Sequence, residues 1–295
     1  MTELEIVVPD GHPRQRLENF AADNFPQIAS RTQARKLAKK GAFLVNEASA
    51  MASDWLNPGD RVQFEPPPKP QHPVFELALE VPVEDAHWAL VLKPSGLPVS
   101  GNRHRTLVRA LPFNLTPSEE PDALAVPHTV HRLDIRVGGL MVVAKTARAQ
   151  VALGRAFEQR RVEKRYRALV VGRVEGAGRI DVPIEGREAR TRYSVVQHTP
   201  SYSMGWWTTL DLWPETGRTH QLRRHVASLG APIVGDDLYT GEVPNIRKKG
   251  LFLYSIGIRI EHPIAGEWVE HELDEPVRYE TRRRSERRRF ARTPS

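Results

Sequence analysis

The chain has 295 residues, 40% of them hydrophobic and 27% charged, which is the composition of a soluble globular protein. No stretch approaches the roughly 20 apolar residues of a membrane span, and the first residues lack the basic start and apolar block of a secretory signal. The absence of cysteine excludes disulfides, thiolate catalysis and cysteine-based zinc sites, and we expect a cytoplasmic protein.

The N-terminal segment shows a helical pattern around residues 16–24, followed by a second helix that carries many cations. Ser30 to Gln33 fits the capping box that begins a helix, and Gly41 marks its end. Short strands and an NPGD turn follow, which predicts a small α/β domain. The helix holds five cations without a compensating acid: Arg31, Arg35, Lys36, Lys39 and Lys40. We predict that these cations contact RNA, against the alternative of a merely solvated face.

A proline-rich segment, EPPPKPQHP at residues 65–73, separates this domain from a larger one. Five prolines in nine residues favour an extended, semi-rigid linker. In the larger part, apolar strands are predicted at 89–94 and 140–145, and Thr146 is the predicted cap of an amphipathic helix. Residues 100–128 have weak periodicity and predict a long loop with one short helix.

Further along, a helix is predicted from Arg218 to Gly230, and strands are predicted on both sides of it. The mixture of strands and helices does not fit a regular doubly wound fold. It predicts an α+β protein, with helices packed on a mixed, largely antiparallel sheet. We expect a monomer, because no long exposed apolar stripe is evident.

The C-terminal end carries most of the net charge of +7. Residues 281–295 contain seven arginines and one glutamate, whereas the preceding 280 residues are almost neutral. Two interpretations stay open for this end. It is either a solvated, disordered tail or an arm that binds phosphates.

The usual signatures of cofactor and metal enzymes are missing. His220 and His225 are five residues apart on a predicted helix, which does not place them on one face. There is no HExxH motif, no phosphate-binding loop and no GxSxG motif. We therefore expect neither a metal nor a cofactor.

The stretch HRLDIRVGGL at residues 131–140 places one carboxylate, Asp134, among cations and directly before a buried strand. Neighbouring positive charge favours the ionised form of an acid. An ionised acid at such a position can be a nucleophile, a general base or a positioning group. From the residues alone, a surface ion pair with Arg132 or Arg136 is the competing interpretation.

Four motifs in order resemble those of the RluA-type pseudouridine synthases. They are KPSGL (93–97), HRLD with GGLMVVAK (131–134 and 138–145), KRYRA (164–168), and GRTHQLR with GAPIVGDDLYTG (217–223 and 230–241). Residues 14–65 also resemble the alpha-L RNA-binding fold of a small-subunit ribosomal protein. The matches there are Arg16-Leu17, Ser30-Arg31, Ala34-Arg35, Gly41, Val45-Asn46 and Pro58-Gly59-Asp60.

The resemblance implies an isomerase that converts uridine to pseudouridine in RNA without a cofactor. It implies that Asp134 is the catalytic carboxylate, that Arg218 pairs with it, and that Tyr166 stacks on the target base. Arg132 joins the predicted RNA contacts. The implied domains are an RNA-binding domain (1–65), a linker (66–80), a catalytic domain (81–278) and an Arg-rich tail (279–295). Ribosomal and transfer RNA both fit as substrates.

Two departures from the family pattern keep alternatives open. Val137-Gly138 stands where the family has Thr-Ser, and Tyr254-Ser255 stands where it often has His-Ala. A protein that binds RNA or assists ribosome assembly without catalysis is one alternative. A glycoside hydrolase that uses Asp134 with Asp236 or Asp237 is another, and it would need two carboxyl groups about 5–10 Å apart.

Overall fold

The computed structural model describes residues 4–26, 28, 30–65, 73–241 and 250–292. The chain forms two compact units, Met1–Gln71 and His72–Ser295. Most of the proline-rich segment, residues 66–72, lies outside the described residues.

The N-terminal unit contains two helices, a four-stranded antiparallel sheet and a two-stranded sheet. The helices are α1 (Leu17–Asn24) and α2 (Arg31–Ala38), and the strands are β1 (Glu5–Val7), β2 (Gln15–Arg16), β3 (Phe43–Val45), β4 (Ala48–Ser49), β5 (Trp55–Leu56) and β6 (Arg61–Phe64). Ser30 caps α2 by accepting a hydrogen bond from the Gln33 amide, as predicted. Three phenylalanines, Phe25, Phe43 and Phe64, centre the core, with ring centroids 5.2–6.3 Å apart.

The second unit is built on a ten-stranded sheet in which nearly every strand pair is antiparallel. The strands are β7 (Val83–Glu84), β8 (Trp88–Lys93), β9 (Ala123–Thr129), β10 (Gly138–Thr146), β11 (Glu163–Val171), β12 (Ala177–Ile180), β13 (Thr191–Ser201), β14 (Gly205–Pro214), β15 (Leu253–Glu261) and β16 (Trp268–Glu272). The helices are α3 (Leu107–Asn114), α4 (Ala147–Glu158), α5 (Gln221–Ser228) and α6 (Val277–Ala291). The predicted mixed, largely antiparallel sheet is therefore confirmed.

Strand β10 lies inside this sheet and all nine of its residues are buried. It pairs with β8 and β9 in the antiparallel sense and briefly with β15 in the parallel sense, through Gly138 and Gly139. Gly139 has a φ of +115°, and a Cβ there would overlap the Ser255 carbonyl oxygen. Only glycine allows this approach of two backbones, and so the double glycine fixes where the loop that carries Asp134 enters the sheet.

Two segments differ from the sequence predictions. Within the predicted loop at 100–128, Ala123–Thr129 forms strand β9 on the edge of β10. Its mostly exposed residues and Pro127 hide the alternation by which strands are recognised. In the second half of the predicted linker, Phe75, Leu77 and Leu79 pack against the core of the second unit.

The arginine-rich end forms helix α6 and is not disordered over Val277–Ala291. Tyr279, Arg283 and Glu286 share one face of α6 at helical spacing and are buried. The Tyr279 hydroxyl donates to the Arg167 carbonyl (3.2 Å), and Glu286 accepts from the Ser201 hydroxyl (2.9 Å). This face anchors the helix to the second unit.

Candidate active site

A cavity of about 640 Å³ opens between the loop before β10, the start of β11 and the loop before α5. Asp134, Tyr166, Arg132, Arg218, His220 and Arg223 all line it. This volume is in the range of sites that hold small ligands or single nucleotides. The predicted catalytic residues Asp134, Arg218 and Tyr166 therefore share one cavity, although they come from three separate motifs.

Asp134 faces two potential cations from the N-terminal end of α5. The Nη1 atom of Arg223 and the Nε2 atom of His220 each lie 3.7 Å from its Oδ2 atom. The Asp134 side chain is 22% exposed, so its carboxylate remains open to the cavity. The site thus holds an accessible carboxylate, and the buried Arg223 guanidinium complements its negative charge.

Arg223 is buried and held in place by Asp236. Its Nε and Nη2 atoms each donate to a different oxygen of the Asp236 carboxylate at 2.7 Å. Burial alone would raise the pKa of Asp236, but the Arg223 guanidinium and the amides of Leu238 and Tyr239 bring that pKa below its ordinary value. The bidentate pair fixes the orientation of the guanidinium, so one Nη is directed towards Asp134.

The predicted pairing of Arg218 with Asp134 is wrong. Helix α5 begins at Gln221, so Arg218 lies in the preceding loop and not in the first helical turn. The Gln221 side chain accepts a hydrogen bond from the Arg218 amide (3.0 Å). This contact closes a turn at residues 218–221, where the sequence had predicted the first turn of the helix. The Nε atom of Arg218 donates to the Glu188 carbonyl (2.9 Å), and Arg223 takes the position beside Asp134.

Sequence reasoning also missed His220, which stands next to Asp134. His220 has a φ of 55°, a left-handed conformation that is uncommon outside glycine and asparagine. Its Nδ1 atom lies 2.8 Å from the Tyr239 hydroxyl. The spacing of His220 and Arg223, three residues apart at a helix start, is the signal that could have placed both beside one ligand.

Tyr166 lies on β11 and its side chain is almost fully buried at the floor of the cavity. Burial raises the pKa of its phenol above the ordinary value, and the negative charge of Asp134 adds to this. The phenol is therefore protonated at neutral pH. Its ring can support a nucleobase and its hydroxyl can donate a hydrogen bond. As a protonated phenol it is a poor candidate for a general base.

Lys93 supports the loop that carries Asp134. Its ammonium group is fully buried and donates to the carbonyls of Leu97 (2.8 Å), Pro94 (3.0 Å) and Ile135 (3.2 Å). The Gly96 amide also donates to the Ile135 carbonyl (2.7 Å). Burial lowers the pKa of Lys93 to about 8, against the opposing effect of Asp134. The KPSGL motif thus fixes the backbone of Ile135, which directly follows Asp134.

His131, the first residue of the HRLD stretch, has a structural contact. Its Nε2 atom accepts a hydrogen bond from the Val142 amide (2.9 Å), and its ring stacks on Phe157 at 4.5 Å. Burial lowers the pKa of His131 to about 3, and the nearby Lys164 charge contributes. The imidazole is therefore neutral, as an acceptor at Nε2 requires.

The two departures from the family pattern face each other. A Cβ on Gly138 would lie 2.6 Å from Cε2 of Tyr254 and 2.8 Å from the Ser95 hydroxyl. The Tyr254 ring thus occupies the space that a side chain at position 138 would need. Glycine at 138 and tyrosine at 254 are sterically matched across β10 and β15.

The predicted RNA contacts differ in their surroundings. Arg132 is exposed at the cavity, with no acid within 4 Å among the residues that the structure describes. In the N-terminal unit, Arg31, Lys36, Lys39 and Lys40 are exposed and likewise have no ion pair within the described part of the chain. Arg35 forms a bidentate pair with Glu18 (2.8 Å), so part of its charge is compensated.

The geometry does not support a glycoside hydrolase. Asp236 is fully buried with both oxygens bound by Arg223, and Asp237 pairs with Arg136. Neither of them lines the cavity beside Asp134. Across the described residues, no three His, Asp or Glu side chains converge as metal ligands would. No helix in those same ranges has the length and apolar character needed to cross a membrane.

Comparison with known proteins agrees with the geometry. Residues 87–228 match the family model for RNA pseudouridylate synthase. A protein from Aquifex aeolicus, named an uncharacterized RNA pseudouridine synthase, is 35% identical, and the alignment covers 90% of this chain and 92% of that protein. The chain belongs to the RluA-type RNA pseudouridine synthase family. It is therefore an isomerase that acts on RNA.

Other relatives extend this result. The ribosomal large subunit pseudouridine synthase D of Xanthomonas campestris pv. campestris is 34% identical over 89% of this chain and 86% of its own length. Among solved structures, the human RNA pseudouridylate synthase domain containing 1 is 25% identical, with a TM-score of 0.54 over 76% of this chain and 98% of that chain. The human domain containing 4, at 24% identity and a TM-score of 0.56, supports the fold.

Proposed function

We propose that Asp134 is the catalytic carboxylate of this pseudouridine synthase and that its target uridine lies in ribosomal RNA. The observation that carries the first part is the placement of Asp134. It is open to the cavity, within 4 Å of His220 and the buried Arg223, and it shares the cavity with Tyr166. The names of relatives such as the Xanthomonas synthase support a ribosomal target.

The reaction needs a carboxylate in this position. The bond between N1 of the uracil and C1′ of the ribose breaks, the base turns, and C1′ joins C5. The hydrogen at C5 leaves as a proton and N1 gains a proton, so no atoms or electrons are gained or lost overall. Positive character at C1′ can be stabilised, or trapped covalently, by the Asp134 carboxylate.

The remaining residues of the cavity have separate roles in the proposal. Arg223 complements the charge of Asp134, His220 lies beside the same carboxylate, and the Tyr166 ring supports the extruded base, which has lost its stacking in the RNA. Arg132 and Arg218 contribute positive charge at the cavity for the RNA backbone. The N-terminal cations would contact the same RNA elsewhere. A ribosomal substrate would place the protein in the cytoplasm.

A non-catalytic RNA-binding protein on the same fold is the second candidate. The observation that favours it is the loss of two hydroxyls at Val137-Gly138. However, the Tyr254 ring fills the space at position 138, so the loop before β10 retains a packed neighbour. Transfer RNA is the alternative substrate.

The test is single-turnover pseudouridine formation by the full-length chain. The substrates are ribosomal and transfer RNA isolated from cells that lack the protein. We expect one or a few sites in ribosomal RNA to be modified, and the Asp134→Asn variant to lose activity by roughly 10⁴-fold or more while it still binds RNA. Asp181→Asn is the control, because Asp181 is an exposed acid outside the cavity. Activity of Asp134→Asn equal to that of Asp181→Asn would refute the catalytic role.

A further inference from the structure

The N-terminal unit exposes a tryptophan beside two arginines. Trp55 on β5 pairs directly with Arg16 on β2, and half of its surface is exposed. The guanidinium carbons of Arg14 and Arg16 lie 5.2 and 5.5 Å from the centre of the indole ring. Both arginines are exposed, and neither has an acid within 4 Å among the described residues.

This group lies next to the basic helix α2. The Glu18 carboxylate accepts from Arg35, and Arg16 and Arg31 are also close enough to lower its pKa. Arg16, Arg31 and Arg35 therefore lie around Glu18, and that carboxylate is already bound by Arg35. The result is a positively charged surface with one exposed aromatic ring in it.

We propose that Trp55, flanked by Arg14 and Arg16, is a stacking site for an unpaired nucleotide of the bound RNA. The exposed part of the indole can stack on a base, and the guanidinium groups can bind the adjoining phosphates. This inference rests on the proposed function only for the identity of the bound RNA. It adds an aromatic anchor to a surface whose other predicted contacts are purely electrostatic.

A second exposed tryptophan of the chain provides a matched control. Trp268 on β16 is 51% exposed, and the Arg259 guanidinium lies 4.2 Å from its ring centre. However, Arg259 is paired with Glu163 (3.0 Å), and Glu261 lies opposite Trp268 in the sheet. The positive charge beside Trp268 is thus compensated, which makes this second site less suitable for RNA than the first, although the exposure and the cation–π contact of the two tryptophans are alike.

The experiment measures equilibrium binding, not turnover, by the full-length chain, so the result is independent of the catalytic proposal. The probes are two short single-stranded oligomers of equal length and charge: oligouridylate, and the same ribose-phosphate backbone without bases. We expect Trp55→Ala to weaken binding of oligouridylate by roughly 5- to 100-fold and to leave binding of the abasic oligomer unchanged. Trp55→Phe should retain most of the affinity for oligouridylate.

Three outcomes with the alanine variants would overturn the proposal. They are unchanged oligouridylate binding by Trp55→Ala, an equal loss in Trp268→Ala, and an equal loss for the two probes in Trp55→Ala. The last would mean that the substitution disturbs the charged surface or the fold and does not remove a stacking contact. Failure of Trp55→Phe to retain binding of oligouridylate would likewise contradict a stacking role.

Discussion

The Nη1 atom of Arg223 lies 3.7 Å from the Oδ2 atom of Asp134, and the same guanidinium is held by two 2.7 Å hydrogen bonds to the buried Asp236. The motif that follows α5 thus orients the cation beside the candidate catalytic acid. Arg218, five residues earlier, does not take part in this arrangement.

The first prediction separates these two arginines. Arg223→Lys keeps the positive charge but loses the bidentate contact that orients it, so we expect kcat to fall by roughly 10- to 100-fold. Arg218→Lys should leave kcat within about threefold and act mainly on KM, because Arg218 stands at the cavity and does not contact Asp134. Turnover at saturating RNA checks this, with thermal unfolding as the control for folding. Equal losses of kcat would contradict the assignment.

The second prediction concerns the matched pair Gly138 and Tyr254. Gly138→Ser introduces a side chain where the Tyr254 ring lies, and we expect a loss of about 1–3 kcal/mol in the free energy of unfolding. Adding Tyr254→Ala should recover part of this loss, since it empties that space. A double-mutant cycle from urea unfolding measures the coupling. Additive effects would show that the two positions do not share the space.

The third prediction is a pH dependence of stability at His131. The folded-state pKa of about 3 lies below the ordinary value of 6.5, so the unfolded chain binds the extra proton and stability falls as the pH drops through 6.5. Between pH 7 and pH 5 this contribution amounts to about 2 kcal/mol. His131→Phe, which cannot titrate, should lose that much less stability over the same interval.

Urea unfolding of both proteins at the two pH values measures the difference. His128→Phe serves as the control, because His128 is exposed on the neighbouring strand β9. The same pH dependence in His131→Phe and in the unsubstituted protein would mean that His131 is not buried in its neutral form.

The fourth prediction concerns the exposed face of α6. Arg284, Arg288 and Arg292 are spaced four residues apart and exposed, whereas Arg283 is buried. If this face binds RNA phosphates, replacing these three exposed arginines by glutamine should reduce the slope of log K against log salt by roughly 0.7–0.9 per lost contact. Truncation is unsuitable, because it would also remove the buried Arg283 and Glu286. An unchanged slope would exclude the phosphate-binding interpretation.

The sequence was sufficient for features that depend on local apolar patterns. Strand β10 is recognisable as a continuous buried run. Thr146 is recognisable as the cap of α4, and its hydroxyl accepts a hydrogen bond from the Ala149 amide. The start of α5 was misplaced because Gln221 binds the Arg218 amide and so replaces a helical turn by a loop. That contact depends on a side chain and gives no periodic signal.

The helix α6 was not predicted, for a different reason. Its buried face is formed by Tyr279, Arg283 and Glu286, and charged residues are rarely buried unless they are paired. The partners that make this burial favourable lie outside the helix: Glu275, which pairs with Arg283, precedes α6, and Ser201, which donates to Glu286, is on strand β13. Composition alone therefore left a solvated end and a phosphate-binding arm both open, and it did not predict a helix.

The measurement that tests the central claim most directly is pseudouridine mapping across ribosomal and transfer RNA from cells that lack the protein. These cells would be complemented with either the unsubstituted protein or Asp134→Asn. We predict that at least one ribosomal site is lost on deletion and restored only by the unsubstituted protein. No lost site, or equal restoration by Asp134→Asn, would contradict the assignment of Asp134 as the catalytic carboxylate of a ribosomal RNA pseudouridine synthase.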